Sequence, residues 1–298
     1  MNFKQPYYTL SLLAFISIVV LSSCGSSGSD KEKNSAEFDQ ANQNLKKSIE
    51  DVVYGIPSPS EIPYMIQQTG AEFNQGLVNP ISNAERYTRR NDKAALNLGV
   101  YAADIGYLAS YDKTQEAIDY LNSCKNLADI LGVIGTFDME ILKRFEANIS
   151  NKDSLTALLD QTLKQTEKLL KDDSRNRLAA LVVSGSFIEG LYISTGLVNS
   201  YPKNLLPDDA RNLILTPVIQ VILNQKKSVS ELLKMLTSVE QTDPVSGMVS
   251  DLQELEKAYA ALNIEEQIRN NRADMVLSDK NLTQISAIVE RVRNGITE

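Results

Sequence analysis

From about residue 90 to the end of the chain, apolar residues recur at three- and four-residue spacing. No run alternates apolar and polar positions as a half-buried strand would. The pattern predicts helices near 92–110, 114–131, 137–149, 153–172, 175–197, 207–225, 227–240, 245–263 and 279–295. Ahead of them an amphipathic segment at 36–54 stops at Pro57 and Pro59, which remove backbone donors and push their neighbours toward extended conformations. Ser60 is expected to cap a short helix, and Asn79-Pro80-Ile81-Ser82-Asn83 reads as a turn. Residues 264–278 fit either a helical extension or a surface loop. The class is all-α with about nine to ten helices, and the short connections favour an irregular up-down multi-helix bundle or an array of helical hairpins.

Two of these helices are apolar nearly all round, which marks them as interior. In the first, 92–110, the small residues Ala95, Gly99, Ala102 and Gly106 fall close to one face and allow a neighbouring backbone to come near. The second, 178–198 (LAALVVSGSFIEGLYISTGLV), has the length of a membrane span. Its centre carries Glu189 with several Ser and Gly, and no aromatic belt flanks it, so a buried core helix is expected. Leu98-Gly99, Tyr101 and Gly106 match part of the tetratricopeptide consensus. The tyrosine stands one residue early, however, and no second copy is visible.

The N-terminus departs from the helical pattern. Lys4 precedes an apolar run from Leu10 to Leu21, which is followed by Ser22-Ser23-Cys24. A cationic start, a short apolar core and small residues at the cut make a secretory signal, and the run is shorter than the roughly 20 residues a span requires. Leu21-Ser22-Ser23-Cys24 resembles the bacterial lipobox, which implies a lipid on Cys24. The Gly/Ser-rich stretch that follows cannot bury enough apolar surface to order itself. The expected organisation is a cleaved signal at 1–23, a flexible tether at 24–37 and a single helical domain over 38–298.

Composition narrows the chemistry. The net charge of −8 becomes one unit more negative once Lys4 is removed, and no basic cluster offsets it, so nucleic acid is not an expected partner. The chain contains no histidine and no tryptophan. That excludes His-based triads, Cys-His dyads, HExxH zinc sites and Glu-x-x-His di-iron bundles. With Cys24 lipidated, Cys124 has no partner for an internal disulfide and fits a small core position. Ser184-Gly185-Ser186 does not match the nucleophile elbow of serine hydrolases. No catalytic residue, metal or cofactor is therefore expected.

Two carboxylates stand inside the apolar helices, Asp104 in AADIGYLA and Glu189 in VVSGSFIEGLYIS. A lone buried carboxylate is costly, so each needs a partner, a proton or a cavity. One reading joins them as a carboxyl pair in a ligand- or cation-binding pocket, with Tyr101, Tyr107, Tyr192, Ser184 and Ser186 as hydrogen-bonding neighbours. The other gives each acid an arginine, with Arg90, Arg144, Arg175 and Arg177 available. Asp104 also shares a heptad-spaced stripe with Arg90, Asn97 and Tyr111, a polar seam along one helix face.

The lipobox, the Ile56-Pro57-Ser58-Pro59-Ser60-Glu61 turn, the NLGVYAADIGY helix, KNLADILG at 125–132 and the GSFIEGLYIST helix together resemble a group of all-helical lipoproteins from Bacteroidota. The resemblance implies a helical fold and a place in the cell envelope, most often the outer membrane, facing the periplasm or the surface; it carries no activity. The functional expectation is a membrane-anchored domain that binds an envelope protein or a small ligand. The alternative is a pocket, possibly enzymatic, built on Asp104 and Glu189.

Overall fold

The computed structural model describes residues 56–133, 143–144, 147–148, 151–172, 175–200, 208–262 and 280–298. The expected segments 36–54, 137–149 and 264–278 lie wholly or mostly outside them. The described residues form α1 (Glu61–Gln68), the one-turn α2 (Ala84–Tyr87), α3 (Asn91–Ser110), α4 (Thr114–Ile130), α5 (Lys152–Asp172) and α6 (Asn176–Ser200). They continue through α7 (Asp208–Asn224), α8 (Lys226–Thr237), α9 (Val245–Ala261) and α10 (Lys280–Thr297). Two short 3₁₀ turns, Gln75–Leu77 and Ile81–Asn83, lie between α1 and α2. The architecture is an all-α array, with no strand among the described residues.

At the centre α3 lies against α6, the most extensive contact between two elements among the described residues. Every residue of α3 from Ala94 to Ser110 is buried, as is every residue of α6 from Leu178 to Leu191. Glycine makes this possible. A Cβ on Gly99 would overlap the Val182 carbonyl oxygen and lie 2.7 Å from the Ser186 nitrogen, while one on Gly185 would overlap the Leu96 carbonyl. The two backbones touch where neither helix has a side chain. α6 is long and apolar enough to cross a membrane, yet 89% of its most apolar window is buried within the protein.

Around this pair the other helices are amphipathic. α4 buries Ala117, Tyr120, Leu121, Cys124, Leu127 and Ala128, a stripe at helical spacing, and folds back on α3 as a hairpin. The turn between them is a Schellman motif: Asp112 N donates to Ala109 O (3.2 Å) and Lys113 N to Leu108 O (2.9 Å), with Asp112 at φ 61°. Gly132 closes α4 in the same way at φ 67°. α10 packs on α9 and α6 through Leu282, Ile285, Ile288, Val289, Val292 and Ile296.

One expected detail differs. The Ser60 side chain does not cap α1; buried beneath the turn that Gly106 admits, its hydroxyl donates to Asp160 Oδ1 at 2.6 Å. The Pro57–Pro59 turn already places Ser60 in a helical conformation, and Glu61 reaches back to accept from Ser58 N at 3.2 Å.

Candidate functional site

The glycine crossing sets the register of the two buried acids. Asp104 stands five residues beyond Gly99, and Glu189 four beyond Gly185. Both carboxyls are fully buried beside this crossing and lie near enough to act on each other. α10 supplies the third member. Arg293 Nε donates to Glu189 Oε2 at 3.1 Å and its Nη2 to Oε1 at 3.3 Å, a two-pronged contact that matches the planar fork to both oxygens. The guanidinium lies 4.5 Å from the centre of the Tyr192 ring, which screens it further from water.

Asp104 Oδ2 accepts from the backbone N–H of Asn79 at 3.2 Å, but no protein donor reaches Oδ1. Two ionised carboxylates close together in a dry interface repel each other, which favours a proton on one of them. Burial pushes Asp104 well above the usual carboxylate range, and the negative charge of Glu189 adds to the shift. Burial also raises Glu189, but there Arg293 opposes it through charge and hydrogen bonds. Asp104 is therefore the carboxyl held further toward its protonated form, and Glu189 is the counter-ion of Arg293. The pair titrates as a unit.

The cluster is one arc of a closed ring. The Asn79 side chain donates from Nδ2 to the Tyr87 hydroxyl at 3.3 Å, and that hydroxyl donates to Thr297 O at 2.9 Å, back on α10. Asn79 is held in turn by Tyr120, whose hydroxyl donates to its carbonyl at 2.9 Å. The last carbonyls of α10, which have no partner within the helix, meet further donors. Lys93 Nζ reaches Gly295 O (2.9 Å) and Ile296 O (3.2 Å), Asn97 Nδ2 reaches Ile296 O (3.1 Å), and Arg86 reaches Glu298 O (2.8 Å). Two of these donors are cationic and suit the negative end of the helix dipole. Tyr87→Phe removes the donor to Thr297 O inside the core and is expected to cost about 1–2 kcal/mol in urea unfolding, with no loss of helix content in far-UV circular dichroism.

The structure thus brings Asp104, Glu189 and Tyr192 together and turns the other two tyrosines elsewhere. The Tyr101 hydroxyl donates to Pro80 O at 3.0 Å, and its ring packs edge-on against Tyr120. Tyr107 accepts from Asn74 N at 2.9 Å and stacks on Phe73. Ser184 bonds back to Ala180 O along its own helix, and Ser186 lies at the glycine crossing. Of the seam along α3, Asn97 and Asp104 face α10 or the ring, whereas Arg90 pairs with Asp92 and Tyr111 donates to Ala71 O. Arg175 and Arg177 bond to Leu131 and to Thr242, and Arg144 is exposed. Cys124 is a buried free thiol pushed up by burial, hence unreactive. Cys24 lies outside the described residues.

Four members of the ring, Asn79, Tyr87, Arg293 and Thr297, are not among the residues the sequence singles out as partners of the acids. Arg293 had a signal: it follows Val289 by four residues and Ser286 by seven, a cation on the buried stripe of α10. Asn79 contributes its backbone N–H, which no residue pattern reveals.

Chemically the cluster is closed. Glu189 is 0% exposed and the Arg293 side chain 11%. Both Glu189 oxygens are occupied by the guanidinium, and among the described residues no group of three Asp, Glu, Cys or His is placed to hold a metal ion. Comparisons with protein-family models, with curated proteins and with solved structures find no match to this chain.

Proposed function

We propose that this chain is a lipid-anchored protein of the bacterial cell envelope whose helical domain binds another envelope protein or a small ligand and is not an enzyme. The observation that carries this reading is Leu21-Ser22-Ser23-Cys24 at the end of a short apolar run behind Lys4. A diacylglycerol with an added acyl chain, at about 0.8 kcal/mol per buried CH₂, would hold the domain at the bilayer on cellular timescales. The outer membrane is the proposed site, with the Gly/Ser stretch after Cys24 as the tether. The closed carboxyl cluster supports a structural role for the acids that sequence alone marks as candidate chemistry. It also counts against the alternative of a ligand pocket built on them, since Arg293 engages both oxygens of Glu189 and Asp104 is fully buried.

In a bacterial host supplied with labelled palmitate, the wild-type chain is expected to take up label and to partition with membranes. Cys24→Ser is expected to lose the label and to remain unprocessed or leave the membrane fraction. Wild-type protein cleaved without lipid would overturn the anchoring, and a detergent pull-down that recovers no defined partner alongside measurable turnover would overturn the binding role.

A further inference from the structure

We draw no further inference here: the strongest candidate, a cavity of about 460 Å³ on α5 bordered by Ala157, Asp160, Gln161, Lys164, Gln165 and Lys168, has one helix face as its only wall among the described residues, and nothing in the structure shows what covers it.

Discussion

Gly185→Ala is expected to destabilise the protein by about 3 kcal/mol or more, at or above the top of the range for overpacked cores. The added methyl would overlap the Leu96 carbonyl, a backbone atom of an α3 buried on all sides that has nowhere to move. The helices must separate, and the separation opens the contact on which both faces of the core are built. It also shifts Glu189, four residues on, away from Asp104. Gly247→Ala is the control. That glycine lies in α9 with nothing within 4 Å of an added Cβ, so alanine should stabilise by about 0.5–1 kcal/mol through helix propensity alone. Urea unfolding of the two variants beside wild type checks both; equal effects would mean that the α3–α6 crossing is not glycine-dependent.

Arg293→Met is expected to cost about 3–5 kcal/mol, the usual penalty when one partner of a buried pair is removed and the other is left behind. Glu189 is fully buried, and its other neighbour is a second carboxyl. Adding Glu189→Gln to Arg293→Met is expected to restore most of the loss, because no charge then remains in the interface. The coupling between the two positions, measured as a double-mutant cycle in urea, should therefore be large. Additive single-site losses would indicate that Arg293 stabilises through its packing on Tyr192 instead.

Much of this fold is legible in the sequence because the two strongest signals are one-dimensional. The all-round apolar character of 92–110 and 178–198 marks the central helices, which appear as Asn91–Ser110 and Asn176–Ser200. The 3.6-residue period places the other helices that fall within the described residues to within a few residues of their observed ends, as at 114–131 against Thr114–Ile130. The anomalous acids Asp104 and Glu189 are visible for the same reason, as charges where the pattern demands apolar side chains. Their partnership is less visible, because it depends on the register between two helices separated in the chain by α4 and α5. The glycines that set that register are apparent as small residues, but their pairing is three-dimensional. Arg293 was legible on the α10 stripe by the logic that found the acids, yet an arginine at the edge of an amphipathic face is commonplace, and four other arginines stood ready as partners. Ser60 shows the opposite failure. A serine before Glu61 has the local grammar of a cap, and the tertiary contact with Asp160 takes its hydroxyl instead.

The separation between location and chemistry has the same origin. A lipobox is a local signal, so the resemblance of Leu21-Ser22-Ser23-Cys24 to one is enough to motivate the proposed anchor without knowledge of the fold. The buried acids can be interpreted only once their neighbours are known, and those neighbours make them part of a closed structural ring.

The most direct test of that ring is infrared spectroscopy of its carboxyls. With 13C-labelled aspartate in the full chain at neutral pH, wild type should show the C=O stretch of a protonated carboxyl shifted by the label, and Asp104→Asn should lack it. The same spectrum in the two proteins, with every aspartate ionised, would contradict a proton on Asp104.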